Sequence, residues 1–127
     1  MNLERFEPFS YHSADEAKRE LEACGLPFSE DMAPLWEEKK LAGHTAPNRI
    51  LFQPMEGCDG ERDGRPGEAT LRRYRRFARG GAGVIWGEAC AVVPEGRANP
   101  RQLMLTEENL PDYQRLVEMM REEARKS

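Results

Sequence analysis

The 127 residues carry 19 Lys and Arg against 23 Asp and Glu, a net charge of −4. That balance argues against a protein built as a whole for nucleic acid or anionic membrane. No apolar run approaches the length of a membrane-spanning helix, and the N-terminal MNLERFEPF lacks the core of a signal peptide. Cys24, Cys58 and Cys90 form no C-x-x-C pair and read as reduced thiols of a cytoplasmic protein, not as a disulfide or zinc framework. His12 and His44 have no ligand-spaced partners and read as surface or turn residues.

In chain order, residues 1–12 read as irregular. Ser13-Ala14-Asp15-Glu16 is a capping box opening a helix whose stripe is Ala17, Leu21 and Cys24, closed by Gly25 and Pro27. A loop over Phe28–Met32 precedes extended pieces, Pro34–Leu41 and His44–Thr45, that turn about Gly43 as a small hairpin. Asn48–Met55 (NRILFQPM) predicts a strand ended by Pro54. The loop EGCDGERDGRPG, with Gly57, Gly60, Gly64 and Gly67, excludes regular structure. Asp59, Glu61 and Asp63 there imitate the start of a calcium loop, but Thr70 stands where its bidentate Glu belongs, so the segment reads as a solvated turn.

Glu68–Arg79 predicts a helix with Leu71, Tyr74, Phe77 and Ala78 on one face. Arg72, Arg73, Arg75, Arg76 and Arg79 fill the rest and read as a solvated outer face. After Gly80, Gly81 and Gly83, the run Val84–Val93 is apolar or small almost throughout, as a parallel strand buried between helix layers would be. Its one charge, Glu88, sits toward the C-terminal end, where α/β folds build sites. It reads equally as a functional group and as a structural carboxylate bonded to backbone. Pro94–Thr106 reads as a loop. A last helix from Leu110 to the end carries the stripe Leu110, Tyr113, Leu116, Val117 and Met120, with Pro111 in its first turn.

The colinear set NRILFQPM, then DGRPGEATLRRYRRFARGGAGVIWGEACAVVPEGR, resembles the start of the old yellow enzyme family of flavin-dependent NADH:flavin oxidoreductases. The resemblance implies an α/β chain: the first two βα units of a TIM (β/α)8 barrel over residues 35–127, preceded by a short helical and hairpin extension at 1–34. It implies FMN as cofactor, NAD(P)H as reductant and an activated alkene, an enone or enoyl compound, as substrate. Gln53, Pro54, Met55 and Glu56 would lie against the isoalloxazine, with Ala89 touching it from the second strand and Gly87 leaving room beside it. Where relatives carry Thr, Cys or His, this chain has Glu56, a carboxylate that would disfavour the anionic reduced flavin.

A complete barrel takes about 250 residues, so the resemblance implies an N-terminal portion of such an enzyme, from a truncated or split reading frame. The groups that bind the substrate carbonyl, donate the proton and anchor the flavin phosphate would lie outside it. No catalytic residue is named, and the portion is expected to be inactive alone, without nucleic-acid or membrane partners. Two other readings stand beside it: a self-contained α+β interaction module whose basic helix binds an anionic partner, and a split flavoenzyme completed by a separate chain.

Overall fold

Helix α1 (Ala14–Ala23) starts where the capping box puts it: Ser13 Oγ accepts from Glu16 N–H at 3.2 Å. Glu16 reaches back one residue further than expected, to His12 N–H at 2.9 Å. A Schellman motif ends the helix, with Gly25 at φ 72° and Leu26 N–H donating to Leu21 C=O at 2.8 Å. The computed structural model describes residues 11–126, so the irregular stretch expected at 1–12 falls outside it as far as residue 10. The chain divides into two units between Met32 and Ala33, and α1 belongs to the first.

The second unit opens with a 3-10 turn at Ala33–Trp36, where the sequence predicts extended backbone from Pro34. A proline fixes φ near −65°, which a tight helical turn accepts as readily as a strand. Leu35 C=O then takes Arg49 N–H at 2.8 Å, folding the turn onto the chain ahead. The hairpin follows: β1 (Lys39–Leu41) pairs antiparallel with β2 (His44–Ala46). Its two turn residues, Ala42 and Gly43, have φ 47° and 83°, the signs of a type I′ turn. Glycine suits that backbone. Ala42 does not, at a cost of about 1–2 kcal/mol.

The rest is strand, helix, strand, helix: β3 (Leu51–Phe52), α2 (Glu68–Arg79), β4 (Val84–Ile85) and α3 (Leu110–Ala124). β3 and β4 are parallel, with Leu51 opposite Val84 and Phe52 opposite Ile85. Both strands are far shorter than the sequence predicts, because neighbouring polar groups divert their backbone bonds. Asn48 Oδ1 takes Ile50 N–H, and Met55 N–H turns back to Gln53 C=O. Trp86 N–H makes the last ladder bond, to Phe52 C=O at 3.1 Å; Glu88 N–H goes to Tyr74 Oη instead. Further on, Ala91 pairs briefly with Met104.

Phe52 and Ile85 face the helices. Phe52 stacks on Phe77 with centroids 4.6 Å apart, and Ile85 joins the core of Leu71, Tyr74, Leu116, Met119 and Met120. Such an aromatic pair adds about 0.5–1.5 kcal/mol beyond its buried area. On α3, Leu116 is buried, but Leu110 and Val117 of the expected stripe are exposed while Met119 packs inward. The expected continuous burial of Val84–Val93 is not found: Trp86 is 62% and Val92 80% exposed. Among the described residues, helices cover the sheet face of Phe52 and Ile85, and Leu51 on the opposite face is exposed. The unit is a small α/β fold with no closed barrel among the described residues.

Candidate functional site

Parallel pairing puts the C-terminal ends of β3 and β4 side by side. The segments leaving them, Gln53–Gly57 and Gly87–Ala89, are tied together by one carboxylate. Glu88, its side chain 1% exposed, accepts Gly57 N–H on Oε2 at 2.9 Å and an Arg73 guanidinium N–H on Oε1. Its own N–H donates to Tyr74 Oη at 2.9 Å. Of the two readings open for Glu88, this geometry is the structural one.

Arg73 corrects the sequence reading. It does not belong to a solvated face but inserts between the two loops, holding Asp59 through Nε–Oδ2 at 2.9 Å and Nη2–Oδ1 at 2.8 Å. Its guanidinium also lies 4.9 Å from the Tyr74 ring centroid. The hydrogen bonds to Asp59, opposed by burial, drive the Arg73 pKa still higher, and they hold the Asp59 carboxyl below its ordinary 3.8. Burial pushes the Tyr74 phenol up, so it stays a neutral acceptor for Glu88 N–H. Thr70, fully buried, donates to Asp59 Oδ1 at 2.8 Å. Asp59 is therefore consumed by the network, not open to a cation. A sequence signal for Arg73 did exist: it stands three residues after Thr70 and four before Phe77, on the edge of the packed face.

The five residues expected at a cofactor, Gln53, Pro54, Met55, Glu56 and Ala89, are all exposed. Gln53 to Glu56 follow β3, with Met55 N–H donating to Gln53 C=O at 2.9 Å. Ala89 adjoins Glu88, and Glu56 adjoins Gly57, so one hydrogen bond brackets both. Glu56 Oε1 accepts from Asn99 Nδ2 at 3.4 Å. A Cβ added at Gly87 would meet nothing within 4 Å. Open backbone at Gly87 and Ala89, with exposed Met55 and Trp86 nearby in the chain, suits a flat aromatic group resting at the strand ends.

Three further residues frame the region through bonds that the sequence reading did not anticipate. Asn48 binds the glycine turn, its Oδ1 taking Gly83 N–H and its Nδ2 donating to Gly81 C=O, each at 2.7 Å. Arg97 donates to the carbonyls of Arg62, Pro100 and Gln102 at 2.6–2.8 Å. Tyr113 donates to Gly64 C=O at 2.9 Å, pinning α3 to the first loop. Each joins segments far apart in sequence, which no local spacing reveals.

Solved structures share the fold. A 2-naphthoyl-CoA reductase, solved in complex with 2-naphthoyl-CoA, matches 72% of this chain at a TM-score of 0.66 and 19% identity. An old yellow enzyme from Pichia sp. matches 72% at 0.65 and 19% identity. The old yellow enzyme from Trypanosoma cruzi matches 71% at 0.61 and 22% identity. The fold is that of a segment of old yellow enzymes. The match spans 14% of the reductase chain and 24% of each of these two old yellow enzymes. No family model matches the sequence, and no curated protein is similar to it. Relative to the old yellow enzyme fold, the matched part is an N-terminal portion. Among the described residues, no helix is long and apolar enough to cross a membrane.

Proposed function

We propose that this chain supplies the first two βα units of an FMN-dependent oxidoreductase, within residues 35–127, behind an extension at 1–34. The observation that carries the reading is the parallel register of β3 and β4, which brings Gln53–Glu56 and Ala89 to one edge with Glu88 bonded across it. The shared fold with old yellow enzymes supports it.

When bound, FMN would carry hydride from NAD(P)H to an activated alkene of enone or enoyl type, in the cytoplasm. This chain's residues would hold one side of the ring. Pro54 and Met55 offer apolar contact, Gln53 an amide at the strand end, and Ala89 a surface small enough for close approach. Glu56 would place negative charge beside the cofactor and oppose its anionic reduced form. Arg73, Glu88 and Tyr74 would act behind these residues as positioning groups. The rest of the barrel would come from a continuation of the chain or from a separate partner chain.

The test is a comparison of flavin content. Residues 1–127 alone are expected to purify colourless and bind FMN only weakly. Joined to the remaining six βα units of an old yellow enzyme, they are expected to give a yellow protein that oxidises NAD(P)H. A colourless, well-folded fusion would overturn the flavin reading, whereas micromolar FMN affinity in the isolated chain would overturn its being a portion.

A further inference from the structure

The loop after β4 returns against the loop after β3 and leaves a concavity of about 700 Å³ lined by Cys58, Arg62, Arg97, Asn99, Pro100 and Arg101. Three of the six lining residues are cationic and none is a carboxylate. Arg97 is fixed there by backbone carbonyls and forms no ion pair among the described residues; its Nε is buried without a hydrogen-bond partner. Arg62 and Arg101 are exposed, and neither forms an ion pair among the described residues. Both also border an adjoining concavity with Glu61 and Asp63, but Asp63 is already held by Arg65 at 2.5 Å. Asn99 Nδ2 is shared between Cys58 Sγ at 3.3 Å and Glu56 Oε1 at 3.4 Å and orients the thiol at the rim.

We propose that this concavity binds the phosphate groups of a small polyanionic ligand. Guanidinium groups fit phosphate oxygens with paired N–H donors, which exposed Arg62 and Arg101 can supply, while Arg97, its donors spent on carbonyls, contributes charge to a site suited to more than one negative charge. The volume lies in the range of small-molecule sites. None of the three arginines is among the proposed flavin contacts, so the inference stands apart from that reading.

Cys58 reports on the site, and exposed Cys24, in the other unit, serves as internal control. The chain is alkylated at low ionic strength with iodoacetate or with neutral iodoacetamide, and each cysteine is quantified by peptide mass spectrometry. In both reactions the thiolate displaces iodide, so thiolate content cancels in the ratio of the two rates and the local field remains. The ratio at Cys58 is expected to exceed that at Cys24 by about fivefold. It is expected to fall toward the Cys24 value in Arg62→Ala/Arg101→Ala, where Arg97 remains, and on adding inorganic pyrophosphate. Adenosine diphosphate protecting at lower concentration than pyrophosphate would assign the phosphates to a nucleotide; equal protection would assign a phosphate group without a base. Equal ratios at Cys58 and Cys24, or no protection by either anion, would overturn the proposal. Neither probe contains flavin, so failure here leaves the flavin reading untouched.

Discussion

Asn48 uses its side-chain amide three times on backbone: Oδ1 accepts from Ile50 and Gly83 N–H, and Nδ2 donates to Gly81 C=O. Each bond has a net worth of about 0.5–1.5 kcal/mol, more where a buried donor is left unpaired, so Asn48→Ala is expected to cost about 2–4 kcal/mol. The urea midpoint would show it. Gly83→Ala should do similar damage from the other side, because its Cβ would sit 2.4 Å from Asn48 C=O. That Gly83 lies in a turn is legible in the sequence; that Asn48 makes glycine necessary there is not, since the two stand 35 positions apart. Arg73→Ala would leave Glu88 buried without its cation, a loss of about 3–5 kcal/mol when such a pair is broken. Adding Glu88→Gln should recover part of that loss. Strict additivity in the double variant would mean the two side chains are not coupled.

At the scale of elements, helices are read well from sequence and strands poorly. The predicted helix over Glu68–Arg79 matches α2 at both ends, because Gly67 and Gly80 flank a stripe of period 3.6 that packs on α3. Strand length depends on partners: only two residues each of NRILFQPM and of the run from Val84 enter the ladder. The link between α2 and α3 is also polar. Glu123 accepts from Arg79 Nε at 2.5 Å and Lys126 Nζ at 3.0 Å. These bonds, Arg79's first, lower its carboxyl from 4.5 to about 2. A carboxyl depressed by folding contributes stability above its unfolded value and loses it as pH falls through the folded one. The helix pair is therefore expected to weaken between about pH 4.5 and pH 2. Acid titration followed by far-ultraviolet circular dichroism should show this, with a shallower acid dependence in Glu123→Gln. Asp59, also depressed, remains in that variant and accounts for residual acid sensitivity.

For the whole molecule, what is uncovered matters as much as what is packed. Leu51 and Leu41 are 37% and 44% exposed, and with Ile50 and Val84 they help line a small concavity of about 210 Å³. Among the described residues, β3 and β4 pair only with each other, so each presents an open edge. Open edges and apolar faces template association. The isolated chain is expected to self-associate at tens of micromolar, and sedimentation giving a clean monomer would count against an incomplete sheet. The same surfaces would be covered in the proposed fusion, where the cofactor placement can be tested one residue at a time. Ala89 is exposed beside Glu88, and a Cβ at Gly87 would meet nothing within 4 Å, so this stretch is open to a ring resting at the strand ends. Ala89→Trp fills that space with an indole and is expected to abolish flavin binding while leaving the fold intact, since Ala89 lies outside the Leu71, Tyr74 and Leu116 core. Arg72→Ala and Arg76→Ala, on the exposed side of α2, are expected to change neither flavin content nor rate. Absorbance near the flavin bands, normalised to protein, separates the outcomes. Full occupancy in Ala89→Trp would place the cofactor away from β4. Lost turnover in the arginine variants with flavin retained would give the basic face of α2 a partner of its own.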